Sequence, residues 1–231
     1  MEALKDEWQR MVKRCSGITA AVRAGIDVVV RPTHCFATLS RCPHPMFPIM
    51  LYTLSASFLA FVLAPSLTPV IHSRFASAFP DTLNLLPLLE QTALVIIIIG
   101  VAVVAALSMM IGALILLVLS RIFVISIDPD VGVSVFGYSH VPLVIRNLLL
   151  LWLSLVHPPL ASTLLSGKNP LLFTMVVGRL SVFTIWSMAL LTWGWRRSAR
   201  TNQRRATGLA LVFGVMNWGL LSFSPPSLAV S

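Results

Sequence analysis

Two arginines stand in apolar sequence. Arg146 lies at the centre of FGYSHVPLVIRNLLLLWLSLV, residues Phe136–Val156, and Arg179 lies inside a later apolar run. A guanidinium is a permanent cation with a planar fork of N–H donors, suited to phosphate or carboxylate. At the centre of a bilayer it costs at least about 2.5–3.5 kcal/mol on insertion scales. At 1.5 Å per residue Arg146 is about 15 Å from either end of its run and Arg179 about 12 Å into its own. If the two runs are antiparallel and joined by a short loop, both arginines reach similar depth. Two chemistries answer such charges. One is an anion or partner site, filled by a lipid phosphate, a ligand or another subunit's carboxylate, with Asn147, His140 and Tyr138 as the polar neighbours. The other is internal, with the guanidinium groups donating to backbone carbonyls, Asn147, Asn217 or Ser181. The apolar runs contain no Asp or Glu, and Asp81, Glu90, Asp128 and Asp130 lie near their ends.

Other chemistry is weakly signalled. His34, Cys35, Cys42 and His44 have the spacing H-C-x6-C-x-H, which is not a standard zinc pattern, and Pro43 and Pro45 stiffen it. There is no HExxH, GxSxG or P-loop, and adjacency of Ser139 and His140 does not make a dyad. The expectation is a protein that is not an enzyme, with no cofactor and no metal. Pro142 removes a backbone donor inside its run and predicts a kink beside Arg146.

The elements that position these residues follow from composition. Of 231 residues, 57% are hydrophobic and 11% charged, and mean hydropathy is +0.88. Soluble domains carry about 25% charged residues. The class is therefore an all-α integral membrane protein. A span needs roughly 20 apolar residues, and five runs qualify: 46–64, 92–119, 136–156, 171–195 and 206–223. The second is long enough to tilt or protrude. Gly100, Ser108 and Gly112 in the second run, and Gly208, Gly214 and Gly219 in the fifth, permit close helix contact. The chain divides into an amphipathic region 1–45, a five-helix domain 46–224 and a short external tail 225–231.

Charge sets the orientation. Lys5, Arg10, Lys13, Arg14, Arg23, Arg31 and Arg41 precede the first run, Arg121 follows the second, and Arg196, Arg197, Arg200, Arg204 and Arg205 separate the last two. Only Arg74 and Lys168 fall in the alternate loops. Cytoplasmic loops carry the Lys/Arg excess, so the N-terminus is expected inside and the C-terminus outside. The net charge of +9 reads as topology signal and anionic-lipid contact rather than nucleic-acid binding, with Arg196–Arg205 as headgroup ligands. The first fifteen residues are charged and lack the apolar core of a cleavable signal peptide. The three cysteines, Cys15, Cys35 and Cys42, give an odd count that suggests no disulfide framework. Leu4, Trp8, Met11, Val12 and Cys15 share a helical face, and Ile18, Val22, Ile26 and Val29 repeat it. A helix lying in the cytoplasmic interface and a helix packed under the bundle both fit that pattern.

Three stretches, in order, resemble Yip-domain proteins. RPTHCFATLSRCPHP (Arg31–Pro45) resembles the Pro-x-x-x-Phe segment leading into their first span. FGYSHVP (Phe136–Pro142) is similar to the Gly-Tyr-x-x-x-Pro opening of their third. RLSVFTIWSMALLTWGW (Arg179–Trp195) is similar to their fourth, with Trp-Ser before a Gly near its cytoplasmic end. The resemblance implies five helices with a cytosolic N-terminus and a lumenal or external C-terminus, in a family named for interaction with Ypt/Rab GTPases. The Asp-Leu-Tyr-Gly-Pro motif of eukaryotic members is absent and the N-terminal region is short. Both count against GTPase binding and imply a bacterial-type member in a bacterial cytoplasmic membrane. The expected function is a non-catalytic scaffold or accessory subunit that docks anionic lipid and another membrane protein or a second copy. The alternative is a transport protein or transporter subunit for an anionic or lipid substrate, using Arg146 and Arg179.

Overall fold

The structure, a computed structural model, describes residues 17–78, 86–158, 181–199 and 202–222. Among these the chain is helical, without strands: α1 (Ile18–Val30), α2 (Pro32–Leu39), α3 (Met46–Ala78), α4 (Leu86–Ile122), α5 (Pro129–Ser139), α6 (Val141–Val156), α7 (Val182–Ser198) and α8 (Gln203–Ser222). Three segments are long and apolar enough to cross a membrane: Met46–Ala64, Pro87–Ile122 and Pro129–Val156. The expected fourth run enters the described residues only at 181, so its first half lies outside them. The tail from 223 and the first sixteen residues also lie outside.

Several boundaries move for identifiable reasons. The first apolar run ends before Pro65 in the sequence, yet α3 continues through Pro65 and Pro69 to Ala78. A missing donor is tolerated in a membrane helix whose neighbours and side chains satisfy the freed carbonyl. The third run is two helices, broken at His140 rather than at Pro142. Pro142 has no N–H for the Tyr138 carbonyl four residues back and its ring crowds that carbonyl, while its fixed φ suits a first helical turn. The break therefore falls on the N-terminal side and Pro142 sits in the first turn of α6. Asp128 caps α5, its carboxylate accepting from the Asp130 amide at 2.9 Å, and Ser181 caps α7 by accepting from the Thr184 amide at 3.3 Å. Arg196 and Arg197 in the last turn of α7 complement its dipole. Between α4 and α5 the chain turns through Val124 at φ 56°, a left-handed conformation that strains a β-branched residue.

α3 lies along α4 and α6, and α7 packs on α5, α2 and α8. The close approaches use glycine. A Cβ on Gly137 would stand 2.5 Å from Pro48 Cγ, and one on Gly194 would stand 2.7 Å from Phe36 Cε1 and 2.8 Å from Val135 Cγ1. One continuous core joins Val28, Phe36 and Leu39 to Leu116, Val135, Leu191, Trp195 and Leu209. The N-terminal helices therefore belong to the bundle. The Tyr138 hydroxyl donates to the Ala21 carbonyl at 3.1 Å and Ser198 Oγ to the Phe36 carbonyl at 3.2 Å. Yet Ile18, Val22, Ile26 and Val29 are exposed on the opposite side of α1. α1 thus packs under the bundle by one face and carries an exposed apolar stripe on another. These contacts also bring α2, the α4–α5 turn and the start of α8 to one end of the bundle, where Arg31, Arg41, Arg121, Arg196, Arg204 and Arg205 are all exposed.

Candidate anion and partner site

Arg146 sits in the second turn of α6, roughly 8 Å of helix from the break at 1.5 Å per residue. The polar residues around it form a chain. Arg146 Nη2 donates to Asn147 Oδ1 at 3.3 Å, a long bond for a charged donor. Asn147 Nδ2 donates across to Ser55 Oγ on α3 at 3.1 Å, and Ser55 Oγ donates to the Tyr52 carbonyl at 2.8 Å. Asn147 and Ser55 are buried, so the amide pins α6 to α3 at a fixed register. Arg146 Nε is buried and has no hydrogen-bond partner, and Thr53 Oγ1 on α3 is in the same condition. A buried donor left unmade costs about 1–3 kcal/mol, more for a charged group.

No carboxylate meets Arg146 among the described residues, whose ion pair is His72 Nδ1 with Glu90 Oε1 at 2.5 Å. Among the described residues the flanking acids do not fold inward: Glu90 binds His72, Asp128 caps α5, and Asp130 is exposed; Asp81 lies outside the described residues. Of the internal partners weighed for the arginines, Asn147 is found. Ser181 is used at the start of α7, where it also bonds Thr184 Oγ1 at 3.0 Å. The Asn217 side chain lies outside the described residues, as do Arg179 and Arg200.

His140 and Tyr138 are occupied within the chain. At the break the Phe136 carbonyl loses its helical donor and is met by Ser139 Oγ at 2.6 Å and His140 Nδ1 at 2.8 Å. The His140 ring packs on Phe136 with centroids 4.3 Å apart and stands edge-on to Tyr52 at 6.5 Å. Tyr138 is fully buried with its hydroxyl taken by α1. So His140 links the break to the Tyr52–Ser55 turn that supports Asn147, and Tyr138 links it to the N-terminal helix. Tyr52 and Ser55 were not legible as site residues, because a hydroxyl in an apolar run carries no mark of its partner.

The headgroup residues Arg196, Arg197, Arg204 and Arg205 are exposed on the α7–α8 turn and its flanks. His34, Cys35, Cys42 and His44 do line one cleft, but no group of three or more ligating side chains is placed to hold a metal among the described residues. The Cys35 thiol donates to the Ala24 carbonyl at 3.3 Å, and burial, with a smaller effect of Asp27, pushes it up to about 12. Cys42 is disulfide-bonded, so one bridge exists where the odd count suggested no framework. No family model, curated protein or solved structure matches the chain.

Proposed function

We propose that the chain is a five-span membrane protein of Yip type, N-terminus inside, acting as a non-catalytic scaffold or accessory subunit. The observation that carries this reading is the half-satisfied guanidinium. Arg146 has a buried Nε without a partner, one long bond to an amide and no carboxylate among the described residues. A charge at that depth is stabilised by an anion; the described residues offer none and the apolar runs contain no Asp or Glu, so the mate in this reading is a lipid phosphate or an acidic side chain of a partner helix. The exposed arginines at one end of the bundle support contact with an anionic leaflet, each contributing about 1 kcal/mol near the surface. A bacterial cytoplasmic membrane is the setting we propose, on the strength of the sequence resemblance.

A second reading is favoured by the break at His140. Interrupted helices beside a charge are how transporters build midplane sites, and a carrier for an anionic or lipid substrate would use the same Arg146. Isolation in mild detergent followed by mass spectrometry of bound protein and lipid separates the two. The scaffold reading expects a fixed protein partner at constant stoichiometry. A chain that purifies alone and moves an anion across liposomes by itself would replace it with the carrier.

A further inference from the structure

α1 presents three faces. Wound at 3.6 residues per turn, Ala21 and Val28 turn to the bundle and are buried, while Ile18, Val22 and Ile26 form an exposed apolar stripe. Thr19, Arg23 and Asp27 lie between these faces and line a cleft of about 590 Å³, closed on its other side by His34, Thr38 and His44. Sites for small molecules span about 300–1,000 Å³. Arg23 and Asp27 are one helical turn apart, a spacing at which opposite charges commonly meet. Here they form no ion pair with each other or with another described residue. The cleft thus holds a guanidinium and a carboxylate, both available, at the edge of an apolar stripe.

Each feature restricts the ligand. A stripe of Ile and Val on a helix lying against a bundle fits the boundary between headgroups and acyl chains. A guanidinium there suits a phosphate. A carboxylate beside it disfavours a headgroup whose only charge is negative, since like charges in a partly desolvated cleft repel. The carboxylate needs a cation, and a primary ammonium supplies N–H donors that a trimethylammonium lacks. We infer that the α1–α2 cleft is a headgroup site for an aminophospholipid of the adjoining leaflet, with Arg23 on the phosphate, Asp27 on the ammonium, and Ile18, Val22 and Ile26 resting against the acyl chains. The site is distinct from Arg146 and stands whether or not a partner fills that position.

The test uses the full chain in detergent, with dioleoyl phosphatidylethanolamine, phosphatidylglycerol or phosphatidylcholine added to the micelles, read by native mass spectrometry and thermal unfolding. Phosphatidylethanolamine should be retained and should raise the melting temperature. Phosphatidylcholine, which carries the same charges but no N–H donors, should bind roughly tenfold more weakly, the worth of one charged hydrogen bond. Phosphatidylglycerol, held also by the exposed arginines outside the cleft, serves as the reference whose retention does not depend on Asp27. Asp27→Asn should abolish the preference for phosphatidylethanolamine over phosphatidylcholine, and Arg23→Gln should weaken both about tenfold. Soluble phosphoethanolamine, which lacks chains, should bind at least about tenfold more weakly than the lipid, since burying one apolar side chain contributes about 1.5–3 kcal/mol. Equal retention of phosphatidylethanolamine and phosphatidylcholine, a preference between them that survives Asp27→Asn, or phosphoethanolamine binding as tightly as the lipid would each overturn the assignment. The lipid ranking of the unmodified chain decides by itself if a variant fails to fold.

Discussion

Gly194→Ala adds one carbon at the tightest joint between the N-terminal helices and the bundle. The new Cβ would meet Phe36 Cε1 at 2.7 Å, Val135 Cγ1 at 2.8 Å and Phe36 Cδ1 at 2.9 Å. Carbon atoms prefer about 3.5–4.0 Å, so a gap approaching 1 Å must open against two side chains that are both fully buried. Phe36 is also tied down, since its own carbonyl accepts from Ser198. Overpacking of this kind costs about 1–3 kcal/mol, while Ala gains about 0.8–1.0 kcal/mol over Gly in helix propensity. The net effect is a loss of up to about 2 kcal/mol, or up to roughly 4–8 °C in melting temperature for a chain of this size. Gly100→Ala is the control, because nothing lies within 4 Å of its new Cβ and only the propensity gain applies. Thermal unfolding of both variants in the same detergent measures the difference. A Gly194→Ala protein as stable as Gly100→Ala would refute the contact between α2, α5 and α7.

Cys35 should resist maleimide at pH 8 in the folded protein and react once it is unfolded, because burial holds the thiol proton to about 12 against an ordinary 9.0. The raised value means that this group's contribution to stability is complete below pH 9 and is lost as pH rises toward 12, so Cys35→Ser should flatten the alkaline limb of a stability profile. Val124→Gly should raise stability by about 1 kcal/mol, since relief of left-handed strain of about 1–3 kcal/mol exceeds the chain-entropy cost of glycine; a loss in the melting curve would contradict the strain. A reporter active only outside the cytoplasm should be active when fused after Ser231 and silent after Arg200, and the reverse pattern would reject the N-in orientation.

Apolar runs are legible because helix length and hydropathy survive in sequence order; α3, α4 and the α5–α6 pair all coincide with expected spans. What the sequence hides is where partners come from. Asn147 and Ser55 are 92 residues apart, and periodicity says nothing of such a bond. Pro142 marks a disturbed helix, but the break settles two residues earlier because the carbonyl that proline leaves without a donor lies one turn back, at Tyr138, and proline itself fits the first turn of the next helix. The stripe Ile18, Val22, Ile26 and Val29 is correct as a face, yet it turns outward. The bundle takes Ala21 and Val28 instead, where a small residue lets the α1 backbone approach the Tyr138 hydroxyl. His140 and Tyr138 draw attention as polar groups in an apolar run, and both are used to hold the break together.

The most direct test of the central claim is Arg146→Leu, assayed for melting temperature and for co-purified lipid and protein in the same preparation. Removal of an incompletely paired charge at membrane depth should leave the melting temperature unchanged or higher, while the bound anion, lipid or partner, is lost. Arg146→Lys should fall between, keeping the charge without the planar fork. A stable Arg146→Leu protein that retains its full complement of lipid and partner would contradict the claim that the counter-charge of Arg146 comes from outside the chain.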